Sequence, residues 1–382
     1  MSAPTILISA GEASSDMYAA RIVKAMREQT GAQFFGMGGP RMAEAGVELI
    51  ADYHEVAVVG IAEVLHKIPT VVRVQNRLAR EAARRKASLA ILVDSPGTHL
   101  GVARRLKNRG IPVGYFIGPQ IWAWRPGRVR VVKRLVKQMV VIFPFEEQIY
   151  REAGVPVSFV GHPLADVVHA TMPRAQFAAR HGLDKERPII ALLPGSRRKE
   201  IAQHYRTILE ACVQIARQHQ QHGVVQFVHA AAPGIDLQPF AEYERSLGID
   251  IRHVEGAVYD VLASADCAIV ASGTATVEAA LLGTPMVVIY RVAPLTAAIL
   301  RHMVSTQNFG MVNLIAGRRV APELIQDGFT PSNVATEIGR LLDSESARDE
   351  MKRGLAGVRE KLGSGGAIER AAEIFRVMLQ SP

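Results

Sequence analysis

The chain has 382 residues, 48% of them apolar and 21% charged, which is too long for one ordinary core and suits two domains. Apolar residues run along the whole length, so a disordered chain is not expected. The formal charge of +9, from 45 Lys+Arg against 36 Asp+Glu, favours an anionic partner without choosing among membrane surface, nucleic acid and phosphorylated substrate. Cys212 and Cys267 form no Cys-x-x-Cys pair, which argues against a zinc or redox motif. No basic segment precedes an apolar signal core, and no run of about 20 apolar residues occurs. Any membrane encounter is therefore expected to be peripheral and from the cytoplasm.

A short apolar run, a glycine-rich turn and a polar-faced helical stretch alternate along the chain, as in parallel α/β sheets. Thr5–Ala10 reads as the first strand and ends in Gly11-Glu12-Ala13-Ser14-Ser15-Asp16. The helix after it carries Ala19, Ile22, Val23 and Met26 on one face. Val56–Pro69 is more apolar than one buried helix face needs, and six basic residues follow it, from Arg73 to Lys86. The pair reads either as a membrane-surface anchor or as a core helix followed by a solvated basic one.

Leu89–Val93 is a second strand, ending in Asp94-Ser95-Pro96-Gly97. Asp94 there can deprotonate an attacking hydroxyl or cap the next helix. Glu12 carries the same ambiguity, and His99 is either an alternative base or a solvated or capping histidine. Val113–Ile117 and Gln138–Phe143 are further strands. Between them lie Trp122 and Trp124, which either pack their loop or wall a sugar or acyl site. The basic amphipathic stretch Gly127–Lys137 suits anionic lipid or a phosphorylated acceptor.

Gly154–Pro163 reads as the last strand of the first half and the crossover, and the pattern restarts after a join near residues 161–175. Pro188–Leu193 ends in Pro194-Gly195-Ser196-Arg197, where glycine, hydroxyl and guanidinium suit a phosphate. The same loop also reads as an ordinary strand-to-helix turn. Val224–Ala230 follows, then Ala268–Ala271, which ends in Ser272-Gly273-Thr274, with Glu278 on the second turn of the next helix. That helix N-terminus can hold a diphosphate and Glu278 a ribose diol; a capping or surface glutamate is the alternative. Pro285–Tyr290 is the last strand read. Two such loops in one half favour a nucleotide diphosphate. The chain has no GxxxxGK[ST], GxGxxG or Asp-x-Asp sequence. It is thus no P-loop ATPase, and arginine with helix dipoles is expected to neutralise the diphosphate in place of a metal.

The ordered set Ser9-Ala10-Gly11-Glu12-Ala13-Ser14, Phe35-Gly36-Met37-Gly38-Gly39-Pro40, Gly118–Trp124, Phe143-Pro144-Phe145-Glu146, Val160–Leu164, Leu192–Arg197, Ser272–Thr276 and Asn313–Gly317 resembles the lipid-A-disaccharide synthase family. One departure is Ser15, where the family pattern has glycine. The resemblance implies an α/β chain of the GT-B fold, two Rossmann-like parallel-sheet domains facing across a cleft. Residues 1–165 would bind the acceptor and 166–345 the UDP-sugar, and a helical tail over 346–382 is expected to pack back on the first domain.

The resemblance further implies inverting transfer from UDP-2,3-diacylglucosamine to 2,3-diacylglucosamine 1-phosphate (lipid X), without cofactor or metal. The products would be UDP and the β(1→6)-linked disaccharide 1-phosphate. Asp94 would be the general base, with Glu12, Arg197 and Asn313 needed for activity. Ser196, Arg197, Ser272, Gly273, Thr274 and Glu278 would surround UDP. Val58, Val59, Ile61, Val64, Leu65, Ile68, Val71 and Val72 would face the inner membrane from the cytoplasm. No nucleic-acid partner is implied, and a homodimer is left open. Competing readings are a UDP-sugar 2-epimerase-like enzyme and a basic, non-catalytic membrane- or nucleic-acid-binding protein.

Overall fold

The computed structural model describes residues 3–56, 61–119, 126–219, 225–293 and 309–380, with the backbone alone for 61–66 and 126. The chain divides into two units: Met1–Asp166 with Gly363–Pro382, and Val167–Leu362.

The first unit runs β1 (Thr5–Ala10), α1 (Ala13–Thr30), β2 (Gln33–Gly38), α2 (Pro40–Glu44), β3 (Glu48–Asp52), α3 (Ile61–Arg84), β4 (Leu89–Val93), α4 (Pro96–Lys107), β5 (Val113–Phe116), α5 (Val129–Leu135), β6 (Gln138–Val141), α6 (Pro144–Glu152) and β7 (Val157–Phe159). Its strands pair in the order β3-β2-β1-β4-β5-β6-β7, every pair parallel. All five residues of β4 are buried, as a continuous apolar run covered by helices on both faces requires. The face read on α1 is the buried one, including Ala19, Ile22, Val23 and Met26. Gly31 ends that helix at φ 63°, its N–H on the Arg27 carbonyl, a left-handed stop that glycine reaches without steric cost.

The second unit repeats the plan: β8 (Ile189–Leu193), β9 (Gln226–Ala231), β10 (Ile251–Glu255), β11 (Cys267–Ala271), β12 (Met286–Tyr290) and β13 (Glu323–Ile325). The order is β10-β9-β8-β11-β12-β13, again parallel throughout. Its helices are α7 (Arg174–His181), α8 (Arg198–Gln218), α9 (Gln238–Ser246), α10 (Val258–Ser264), α11 (Thr274–Leu282), α12 (Met311–Ala316), α13 (Pro331–Asp343) and α14 (Glu345–Leu362).

The expected break at residue 346 lies elsewhere. α14 packs on α11, α12 and α13 within the second unit, with Met351, Leu355 and Val358 buried. The chain returns to the first unit only at Gly363, where α15 (Ala367–Gln380) lies against α1, β4 and β5.

Candidate active site

In each sheet the strand order reverses at one point, between β1 and β4 in the first and between β8 and β11 in the second. The loops that leave such a switch point diverge and leave a crevice at the carboxyl ends of the strands. The sequence motifs fall there: Glu12 after β1 and Asp94 after β4, Pro194–Arg197 after β8 and Ser272–Thr274 after β11.

At the first switch point the two loops touch. A Cβ on Gly11 would lie 2.2 Å from the Ser95 Oγ, so glycine is required for this approach. Ser15 is buried and closes the turn with its own hydroxyl. It accepts from the N–H groups of Gly11 (3.1 Å) and Glu12 (3.0 Å) and donates to the Glu12 carbonyl (2.9 Å). The departure from the family's glycine is thus accommodated by a capping bond. The Glu12 side chain is exposed, and its Oε1 accepts from the Ser14 hydroxyl at 2.5 Å.

Asp94 sits in the left-handed region at φ 54°, followed by Ser95 at 49°, and Ile117 after β5 has φ 58°. Non-glycine residues pay for this conformation, a β-branched one most of all, and such strain concentrates at functional sites. Ser95, not Asp94, is the N-cap residue of α4, so the capping reading of Asp94 fails. Its carboxyl is pushed up to about 7, first by burial and then by the neighbouring Glu12 carboxylate, while the Ser95 N–H acts in the opposite direction. A carboxylate that titrates there can take a proton near neutral pH.

The Asp94 carbonyl accepts two hydrogen bonds, from the His99 Nδ1 at 2.6 Å and the Tyr115 hydroxyl at 2.7 Å. His99 is fully buried, and its Nε2 lies 2.8 Å from the Ser9 hydroxyl. Burial pushes its pKa down to about 4. It is therefore neither solvated nor a cap, and with both ring nitrogens committed it is no free base. Its burial and its partner Ser9 were not legible from sequence spacing.

At the second switch point Gly195 takes φ 129°. The Glu200 carboxylate accepts from the N–H groups of Ser196 (3.0 Å) and Arg197 (3.3 Å), and pairs with the Arg197 guanidinium at 3.0 Å. An internal carboxylate thus lies on the amides that sequence reasoning gave to a phosphate. The Arg197 side chain is 72% exposed. Buried His204 ties this loop to the end of β12: its Nδ1 donates to the Pro194 carbonyl (2.7 Å) and its Nε2 accepts from the Arg291 N–H (2.9 Å). Neither Glu200 nor His204 was singled out from sequence, although the i,i+3 spacing of Arg197 and Glu200 is a readable capping signal.

The α11 N-terminus differs from that of α8. Its first turn holds no acidic residue, and its N-cap Gly273 has φ 148°. Ser272 and Gly273 are half-buried and Thr274 is exposed. The Glu278 side chain is largely buried, its pKa raised by burial, and it accepts from the Tyr259 hydroxyl at 3.5 Å. A surface or capping role for Glu278 does not fit that position.

Asn313 is 0% exposed, and its amide is saturated. It donates to the Ala321 carbonyl and to Glu323 Oε1, both at 2.8 Å, and accepts from the N–H groups of Val320 (2.7 Å) and Ala321 (3.0 Å). Glu323 in turn accepts from the N–H groups of Phe309 and Gly310, and the Phe309 carbonyl accepts from the Ser272 hydroxyl. Asn313 thus reaches the site through a relay to Ser272, with no hydrogen-bonding capacity left for a ligand.

In α3, Ile68 is 48% and Val72 is 38% exposed, while Val71 packs on the core. Val58 and Val59, the side chains of Ile61, Val64 and Leu65, and both tryptophans lie outside the described residues. In the basic stretch, α5 buries Val132 and exposes Arg130, Lys133 and Arg134. Among the described residues no helix is long and apolar enough to cross a membrane.

Known proteins give the arrangement a family. A family model described as lipid-A-disaccharide synthetase matches residues 6–373. The lipid-A-disaccharide synthase of Geobacter sulfurreducens is 45% identical over 375 residues, 98% of this chain and 97% of that protein. That of Myxococcus xanthus is also 45% identical, over 97% of this chain and 96% of its own. Among solved structures, the UDP-GlcNAc 2-epimerase of Neisseria meningitidis matches with TM-score 0.65 at 12% identity, over 99% and 100% of the two chains. MurG of Acinetobacter baumannii matches with TM-score 0.59 at 14% identity, over 97% and 98%. Those two likenesses establish the GT-B fold, and the close relatives establish more: the chain belongs to the lipid-A-disaccharide synthase family, glycosyltransferases of lipid A biosynthesis.

Proposed function

We propose that the chain transfers 2,3-diacylglucosamine from UDP to the 6-hydroxyl of 2,3-diacylglucosamine 1-phosphate with inversion. The observation that carries this reading is Asp94, a largely buried carboxyl raised to about 7 at the first sheet's switch point. The ionised Asp94 takes the hydroxyl proton as that oxygen bonds to the anomeric carbon. The bond from that carbon to the diphosphate oxygen breaks, and its electrons leave with UDP. The attack comes from the face opposite UDP, which makes the new linkage β.

Ser272, Gly273 and Thr274 at the α11 N-terminus, with Ser196 and the exposed Arg197 guanidinium, meet the diphosphate. Their charge and dipoles stabilise what develops on the leaving group. The absence of an internal acid from the first turn of α11 favours that helix over α8 as the main anion site. Glu278 accepts from the ribose diol in the position that Tyr259 now marks. Glu12, exposed beside Asp94, orients the acceptor and holds the Asp94 pKa up. Asn313 acts through Glu323 and Phe309 on Ser272. Ile68 and Val72, with Val58, Val59, Ile61, Val64 and Leu65 of the same segment, meet the acyl chains at the cytoplasmic face of the inner membrane, while Val71 stays with the core.

Turnover is expected with UDP-diacylglucosamine and its 1-phosphate acceptor together, and it should persist in EDTA. Loss of turnover in EDTA would replace the arginine-and-dipole account with a metal. Asp94→Asn should lower kcat at least about 10²-fold, the lower end of a general base's contribution, while UDP affinity stays within about twofold. Full turnover by that variant would remove Asp94 as the base. UDP-N-acetylglucosamine alone should remain unchanged, whereas an epimerase would convert it without acceptor.

A further inference from the structure

We propose that His99 is a positioning residue for the transfer: with Tyr115 it clamps the strained Asp94 carbonyl and thereby fixes where the Asp94 carboxylate points. The proposal rests on Asp94 being the general base. Two elements meet at the Asp94 carbonyl, and a third, through Ser9, holds the His99 ring. Ser9 comes from β1, His99 from α4 and Tyr115 from β5. A carbonyl oxygen only accepts, so the 2.6 Å contact from the His99 Nδ1 requires the proton on Nδ1. Nε2 is then bare and accepts the Ser9 hydroxyl proton at 2.8 Å. The ring, fully buried, has one tautomer that satisfies both partners. The Tyr115 hydroxyl, 2.7 Å away, takes the second lone pair of the same carbonyl.

This clamp sits where the backbone most needs holding. Asp94 and Ser95 are successive non-glycine residues in the left-handed region, at φ 54° and 49°. Such a conformation persists only where its surroundings over-determine it. The carboxylate carbon hangs two bonds from that Cα, so relaxation of the peptide would swing it away from an incoming hydroxyl. Packing alone asks for no imidazole here, since a leucine would fill the site without needing Ser9 and Tyr115 beside it. The groups that face the Asp94 carboxyl and its peptide are Glu12 from the loop after β1, His99 from α4 and Tyr115 from β5; Arg128 acts on Tyr115.

The test is a double-mutant cycle on the full chain with both lipid substrates. His99→Leu removes both bonds and keeps the volume. It should lower kcat about 10²-fold, as a misplacement of about 1 Å does, with both KM values within about twofold. His99→Asn retains a donor toward the Asp94 carbonyl and should recover kcat to within about tenfold of the parent. In an Asp94→Asn background, His99→Leu should cause no further loss. Equal multiplicative losses in the two backgrounds, a rise in KM at constant kcat, or an asparagine no better than leucine would each overturn the proposal. If His99→Leu does not fold, Tyr115→Phe takes its place in the cycle with the same expectation of silence in the Asp94→Asn background. An inactive Asp94→Asn with a fully active His99→Leu sinks the clamp alone. A fully active Asp94→Asn sinks the general-base reading.

Discussion

Two carboxylates meet at the end of β4, and only Asp94 is mostly buried. Burial is the largest cause of its raised pKa and Glu12 the next, so activity should fall as pH drops through about 7. Glu12→Gln removes the like charge but not the burial. It should move that acidic limb of kcat downward by less than about one pH unit, which a pH–rate profile reads directly. An upward shift would contradict the repulsion. The same shift has a consequence for stability. The folded pKa of about 7 lies above the ordinary value of 3.8, so between those values the folded state binds the proton and the unfolded state does not. This group's contribution to stability is present at low pH and lost as pH rises through 7. Asp94→Asn escapes that loss, so its melting temperature relative to the parent should rise from pH 5 to pH 8. A flat difference across that range would deny the buried charge.

At the scale of elements, strands that are uninterrupted apolar runs, such as β4, β8 and β11, were legible because a parallel strand buried on both faces needs little else. The four that were not legible each lack that signature. β2 (Gln33–Gly38) carries two glycines in six residues. β3 and β10 are edge strands with exposed positions, and β13 has three residues. The site loops were readable because glycine, hydroxyl and charge cluster where a strand ends. Long-range partners such as His204 with Arg291 were not, since nothing local encodes a contact across 87 residues. Asn313 shows the same limit: the family resemblance implied a part in activity, and its bonds from α12 to Ala321 and Glu323 show a scaffold. Asn313→Ala should strand the Val320 and Ala321 N–H groups in a buried site, which costs about 2–6 kcal/mol at about 1–3 for each unmet group. Denaturant unfolding should show that loss together with weaker UDP binding. Activity loss with unchanged stability and UDP affinity would instead give Asn313 a direct role.

The chain crosses between its units twice, and both crossings are secured inside the first unit. Asp166, the last residue before the first crossing, accepts from the Gly366 N–H at 2.7 Å just after the second. Arg370 donates to the Val160 carbonyl through Nε and a terminal nitrogen. A Cβ on Gly365, at φ 92°, would lie 2.5 Å from the Asp166 Oδ1, so the turn depends on glycine. Beyond it, α15 presents Ile368, Ala371, Ala372 and Phe375 to α1, β4 and β5, and the Phe375 ring lies so close to β5 that a Cβ on Gly114 would be 2.6 Å from it. The C-terminal helix is thus a late-synthesised part of the first unit's core, and that core cannot be completed until the second unit has been made. Phe375→Ala should cost about 3–5 kcal/mol through lost burial and the cavity left behind. Because Phe375 belongs to the first unit, amide protection should fall across β1, β4 and β5 while β8 and β11 keep theirs, as native-state hydrogen exchange resolves by region. Equal loss of protection in both sheets would show that the two units unfold as one cooperative body.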